Sequence, residues 1–316
     1  MLLYKSVRRF RCPADARDLF GLFLTNVLFN ILTLGVYRFW GKTRIRQYLW
    51  SQASFDDEHF EYTGQGKELF LGFLRALAVT GGVITFTQLA SRAVTSFNPQ
   101  FETLVRIIFT YIMYILIGVG MYSARQYLLS RTRWRGIRFA QSGSAITYAK
   151  TWVSTQGIAV LTLGLYTPFM RHHMLNYTLN NTWFGSERLT YDGRGKELFA
   201  AFLKSYLLLI PTLGLSWFWY RAAEYRYVAE HTQLQGVTFR STISGSELLR
   251  LTIGNWLLLI ATLGFAYPFV VVRTAHVLST HLRIDGEFEY LRILQSDHEV
   301  PATGEGLVGV FGMGSV

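Results

Sequence analysis

The residues of this chain that could do chemistry in an apolar setting are few and regularly placed. Asn26 and Thr33 lie seven residues apart, about two helical turns less 20°, so their side chains share one helix face. Asn255 and Thr262 repeat the spacing, and Thr155 with Thr162 gives it again. An amide or hydroxyl in hydrocarbon is costly without partners, so these faces point into the protein interior. Two uses follow. They line a path for a small solute or ion, or they bond across helices as packing glue, with Gly35, Gly164 and Gly264 permitting close approach. The spacing alone leaves both open.

Four charged residues fall at the edges of the same apolar runs: Asp18, Arg75, Lys204 and Glu247. Arg75 and Lys204 correspond under a shift of 129 residues and sit six residues inside helices that begin at Leu69 and Leu198. That depth is about 9 Å. A long cation there snorkels to lipid headgroups, or it pairs with Asp18 or Glu247 across the bundle as a charged gate or proton-coupled site.

Enzyme chemistry finds no comparable set. Tyr62-Thr63-Gly64-Gln65-Gly66-Lys67-Glu68-Leu69-Phe70 returns as Tyr191-Asp192-Gly193-Arg194-Gly195-Lys196-Glu197-Leu198-Phe199. It reads as a turn and a helix start, with the carboxylate at the positive end of the helix dipole. A phosphate-binding loop needs Ser or Thr after the Lys and a strand before it, and here Lys precedes Glu. His172 and His173 are adjacent, and His276 and His281 are five apart, both poor spacings for one metal on a helix. The single cysteine, Cys12, excludes an internal disulfide. No catalytic residue, metal ligand or cofactor is assigned.

The elements that must carry these residues recur. Phe10, Asp18, Asn26 and Thr33-Leu34-Gly35 return as Phe239, Glu247, Asn255 and Thr262-Leu263-Gly264, a shift of 229. Phe139, Thr147, Thr155 and Thr162-Leu163-Gly164 fit the same template at a shift of 129, so one apolar unit appears three times. Tyr127, Thr132, Gly136 and Phe139 return at a shift of 100. Half of the residues are hydrophobic, 16% are aromatic and only 16% are charged, against about 25% charged in soluble domains. Six stretches approach the roughly 20 residues of a bilayer-crossing helix: 19–40, 69–90, 104–128, 146–169, 198–220 and 248–272.

The expected fold is therefore all-α, a polytopic transmembrane bundle of about six spans. A basic amino-terminal segment occupies 1–18, a first membrane half 19–145, a second 146–290, and a flexible Gly-rich tail 291–316. Six single crossings would invert the first two repeat copies, as in many secondary transporters. A β-barrel is disfavoured, because runs such as Leu207-Leu208-Leu209-Ile210 do not alternate.

The net charge of +11 fits basic loops facing the cytoplasm and anionic lipid. The densest cluster, Arg131-Thr132-Arg133-Trp134-Arg135-Gly136-Ile137-Arg138, is read the same way, and no nucleic-acid partner is expected. The bilayer is the expected partner, and a protein partner or a second copy of the chain stays open.

With these motifs in hand, the chain resembles the YjgN family of multi-pass bacterial inner-membrane proteins. The carrying residues are Asn26 through Thr33-Leu34-Gly35-Val36-Tyr37, the Tyr62-to-Phe70 stretch, and Thr162-Leu163-Gly164-Leu165-Tyr166 with Pro168. The resemblance runs from about residue 10 to about residue 290. It implies an inner-membrane location and brings no activity or substrate. The functional expectation is movement or sensing of a small solute or ion through the polar faces; the alternative is a structural protein that organises lipid or a partner.

Overall fold

Apolar stretches that read as single spans fold back on themselves at Thr-Leu-Gly. In the computed structural model, which describes residues 7–97, 99–286, 289 and 293–295, helix α1 (Ala16–Leu32) stops at Thr33 and α2 (Arg38–Gln52) begins five residues later. Leu34 and Gly35 are both left-handed, at φ 51° and 86°. The Gly35 N–H reaches back to the Asn30 carbonyl at 2.7 Å, a Schellman-type closure. The Thr33 hydroxyl oxygen accepts the Tyr37 N–H at 2.9 Å and so starts the returning helix.

The second hairpin is longer: α3 (Gly66–Phe97) and α4 (Glu102–Arg131) meet through a 3-10 turn at Pro99–Phe101. The Thr-Leu-Gly turn then recurs three times. It joins α5 (Ala145–Leu161) to α6 (Thr167–Asn180), α7 (Gly195–Leu207) to α8 (Ser216–Glu230), and α9 (Gly245–Ala261) to α10 (Tyr267–His281). A Cβ at Gly35 or Gly264 would meet nothing within 4 Å, and one at Gly164 would meet only Thr167 and Tyr206, at 3.9 Å. These glycines supply a left-handed backbone, not the close helix approach expected of them.

Each hairpin is flanked by two short strands that pair with each other. They are β1 (Val7–Arg11) with β2 (Ser54–Phe55), β3 (Glu58–Tyr62) with β4 (Thr132–Trp134), β5 (Ile137–Gln141) with β6 (Thr182–Phe184), β7 (Glu187–Tyr191) with β8 (Thr232–Leu234), and β9 (Val237–Ser241) with β10 (Leu282–Asp285). Tight turns link one unit to the next, and β10 pairs with β1 to close a ten-stranded antiparallel barrel. All five hairpins leave the barrel from one end, and the tight turns occupy the other.

The barrel is filled. Phe10 faces Phe55, Phe60 faces Trp134, Phe139 faces Phe184, Leu189 faces Leu234 and Phe239 faces Ile284 across the five strand pairs. These ten residues belong to one apolar core, with Phe10 and Phe55 stacked at 4.6 Å. Ile293 joins it at the turn end, tied there by the Ser186 N–H donating to the Leu294 carbonyl at 3.0 Å. The interior is a packed core and not a pore.

Three expectations are thereby corrected. The all-α bundle of about six spans gives way to a closed barrel carrying five helical hairpins. Among the described residues only α3 and α4 are long and apolar enough to cross a membrane; the stretches at 19–40, 146–169, 198–220 and 248–272 each contain a turn. The barrel, disfavoured because runs such as Leu207-Leu208-Leu209-Ile210 do not alternate, is built from strands of only two to five residues. They lie in the connections, outside the apolar runs used to argue against them. The units are also related by rotation around the barrel and not by inversion. Residues 1–6 of the basic segment and 296–316 of the Gly-rich tail lie outside the described residues.

Candidate functional site

The polar residues singled out by spacing divide by height along the hairpins. Thr33, Thr162 and Thr262 stand at the tips, where each hydroxyl donates to its own helix and accepts the first N–H of the returning one. Asn26, Thr155 and Asn255 are buried lower down. Asn26 Nδ2 donates to the Gly41 carbonyl at 3.4 Å, and Asn255 Nδ2 to Thr274 Oγ1 at 3.1 Å, in both cases across a single hairpin. Thr155 bonds its own helix through the Thr151 carbonyl at 2.8 Å. Ser205 fills the same position in α7 and exchanges hydrogen bonds with Ser216 on α8. Sequence reasoning passed over it, although it precedes Thr212 by the same seven residues. Each of these hydrogen bonds lies within its own hairpin.

The charged residues stand at the feet of the hairpins or on their outer surface. Glu247 occupies the first turn of α9, where its carboxylate accepts the Ser244 N–H at 2.8 Å and pairs with His281 at 3.0 Å. The Ser244 side chain and backbone hold its carboxyl down at about 2, with His281 adding to the effect. Asp18 takes the corresponding place on α1 and is exposed. In α3 the position belongs to Glu68, bonded to Arg131 at 2.7 Å, and in α7 to Glu197, bonded to the Tyr227 hydroxyl at 2.9 Å. Arg75 and Lys204 are exposed farther up α3 and α7. Among the described residues neither pairs with Asp18 or Glu247.

An open cavity of about 780 Å³ lies between α2, α4, α10 and the barrel. Its walls are Leu49 and Trp50 of α2, Leu128 and Leu129 of α4, and Val270, Val271, Ala275 and Leu278 of α10. Phe60 and Phe139 of the barrel core form the floor. Four hydroxyls line it: that of Tyr267, and those of Thr132, Thr274 and Ser279, which are engaged with neighbouring groups. Thr132 Oγ1 accepts from Trp50 Nε1 at 3.0 Å and donates to the Leu128 carbonyl. Thr274 donates to the Val270 carbonyl and accepts from Asn255, and Ser279 donates to the His276 carbonyl. Cys12 also lines the wall, and burial pushes its thiol up. The volume lies within the range of small-molecule sites, and most of the surface offers an apolar guest contact. The α10 stripe was legible as a three-and-four spacing of apolar residues, but it lies largely past the Thr-Leu-Gly units on which the sequence reading centred.

A second buried cluster joins the third and fourth units. Glu224 on α8 is 3% exposed and contacts Arg171 on α6 and, at 2.6 Å, Arg221 one turn before it. Burial raises its carboxyl above the ordinary range, with both guanidiniums pulling against that rise. Beside it, His172 Nδ1 bonds the Tyr191 hydroxyl at 2.5 Å at the helix end of β7. Burial first, then the nearby Arg171 and His231, lowers the His172 ring to about 4, so it stays neutral. Among the described residues no three His, Cys, Asp or Glu side chains gather to hold a metal.

No curated protein and no solved structure matches the chain. A family model does, over residues 8–217 and again over 205–310, which together span the barrel and all five hairpins. Matched in this way over nearly its whole length, the chain belongs to the family described as bacterial protein of unknown function, DUF898, to which the resemblance to YjgN proteins had pointed.

Proposed function

We propose that the protein resides in the bacterial inner membrane and holds a lipid-like apolar molecule in the cavity between α2, α4 and α10. The observation that carries this reading is the cavity itself, about 780 Å³ of mostly apolar wall in which the Thr132, Thr274 and Ser279 hydroxyls are committed to neighbouring groups. A guest with a long hydrocarbon portion meets mostly apolar wall there, whereas a polar solute would be desolvated with little compensation. Membrane residence is supported by α3 and α4 and by the large apolar side chains exposed along the hairpins. Passage of a polar solute or ion finds less support. The Asn and Thr residues bond within single hairpins, and the barrel axis is filled by its core.

The test is to purify the protein from membranes in mild detergent, extract it with organic solvent and identify co-purifying apolar molecules by mass spectrometry. Ala275→Trp places an indole in the cavity. It is expected to remove the guest while the protein remains folded and monodisperse. A folded wild-type protein with no bound apolar molecule, or an unchanged guest content in the folded Trp variant, would overturn the reading.

A further inference from the structure

We infer that four of the five hairpins enter only one leaflet of the bilayer, and that the α3–α4 hairpin alone crosses it. This rests on the membrane residence proposed above and specifies the surface that meets lipid.

The first support is the hairpin tips. Leu34, Leu163, Leu213 and Leu263 are 94%, 80%, 93% and 90% exposed, and all four have φ near 50°. A left-handed backbone is unfavourable for a leucine, and water is an unfavourable surrounding for its side chain. Asn or Gly would suit such a turn in water. Four leucines at equivalent tips of one face suit hydrocarbon.

The second support is the height of the cations. On α5 the exposed Lys150 lies eleven residues before the end of the helix at Leu161, and on α9 Arg250 lies eleven before Ala261. Eleven residues rise about 17 Å. On these outgoing helices the large exposed side chains between the cations and the tips are apolar, among them Ile158 and Leu161 on α5 and Trp256, Leu257 and Ile260 on α9, while the returning helices carry exposed Arg38, His173 and Arg273 nearer the tips than the helix feet. Half of a roughly 30 Å hydrocarbon core is about 15 Å, so the band matches one leaflet with its cations at the phosphates. On the α7 hairpin the exposed Lys204 lies closer to the tip, three residues before the helix end at Leu207, from where its long side chain reaches back towards the headgroups.

The α3–α4 hairpin differs in the same measure. Exposed Arg75 and Arg92 on α3 are seventeen residues apart, about 26 Å. Leu77, Val79, Ile84, Phe86 and Leu89 are exposed between them. That band is close to a whole bilayer core, and Arg106 with Glu102, paired at 2.6 Å, stands at its far end on α4. Arg75 thus marks the barrel-side headgroups, and Arg92 and Arg106 the opposite ones.

The experiment places single cysteines in a Cys12→Ser background, with Cys12→Ala as a second background should serine reduce expression. The sites are Thr190 on the barrel, Thr103 at the far end of the long hairpin, and the tips Leu163 and Leu213. A membrane-impermeant maleimide is applied to spheroplasts and to inverted vesicles, and bimane-labelled tips are tested for quenching by brominated acyl chains. The expected result is labelling of Thr190→Cys from one face and Thr103→Cys from the other, with the tips protected from both and quenched by the lipid. Tips labelled from the Thr103 face mean full crossing, and tips labelled from the Thr190 face mean hairpins outside the bilayer; either overturns the inference while membrane residence stands. Labelling of Thr103→Cys and Thr190→Cys from the same face would overturn membrane crossing itself.

Discussion

Tyr177 on α6 grips the backbone of Ser144, the residue that caps α5: its hydroxyl donates to the Ser144 carbonyl and accepts the Ser144 N–H, both at 2.9 Å. Tyr48 does the same to Asp15, and Tyr227 to Arg194, each across 33 residues. The second helix of a hairpin thereby fixes the start of the first, where the chain leaves the barrel. In the fifth unit Val277 stands in the tyrosine's place, and the start of α9 is held by the Ser244–Glu247 capping box instead.

The clamp yields a direct prediction. Tyr177→Phe removes a hydroxyl that satisfies two backbone groups and adds no bulk, so it costs about 1–3 kcal/mol. Thermal unfolding in detergent is expected to show a lower midpoint for Tyr177→Phe and for Tyr227→Phe, while Tyr225→Phe, whose exposed hydroxyl meets Arg221 at 3.5 Å, stays close to wild type. Equal midpoints for all three would show that the hairpin feet are held by packing alone.

His172 gives the fold a pH dependence of known sign. Its ring titrates near 4 in the folded protein, against 6.5 for the free side chain. The unfolded chain therefore binds the proton first as pH falls. Stability attributable to this residue is complete above pH 6.5, declines between about 6.5 and 4, and levels below that. His172→Gln, which retains an amide to meet Tyr191, is expected to flatten the profile across that window when unfolding midpoints are measured from pH 4 to 8. A variant profile parallel to the wild type would assign the window to other groups, Glu224 among them.

What could be read from the sequence was the repeat, but not its count. The shifts of 100, 129 and 229 are combinations of two steps, 50 residues between ordinary units and 79 across the long second one. Phe55, Trp134, Phe184, Leu234 and Ile284 follow those steps and face one another inside the barrel. They were hidden because each strand contributes few inward residues and the strands sit in what looked like charged loops. Arg133 and Arg138 point away from Trp134 and the Ile137 side chain by simple alternation. The hairpins were mistaken for spans because an apolar helix, a Leu-bearing turn and the start of an aromatic-rich helix read as one continuous run. Nothing in a hydropathy average registers that Leu34 and Gly35 turn the chain. The Asn and Thr residues were legible as a buried face, but not as bonds closed within one hairpin, since spacing gives a face and never the partner. Glu224 and Arg171 were missed because their juxtaposition joins two units, 53 residues apart in the chain.

That junction supports the last prediction. Glu224 is buried between two guanidiniums, and Arg171 reaches it from the neighbouring unit, so the carboxylate is both a counter-charge and a tie between α6 and α8. Removing it alone by Glu224→Leu leaves Arg221 beside Arg171 with no anion between them, at a cost of about 3–5 kcal/mol. Arg171 is the more exposed of the two cations, and its loss leaves Glu224 still paired with Arg221, so Arg171→Leu alone is expected to cost less. Replacing all three by leucine removes the desolvation penalty along with the attraction, and is expected to recover most of the loss. Measured unfolding free energies for the two single variants and the triple variant decide the point: a triple variant at least as unstable as Glu224→Leu would mean that the ion cluster contributes net stability to the ring.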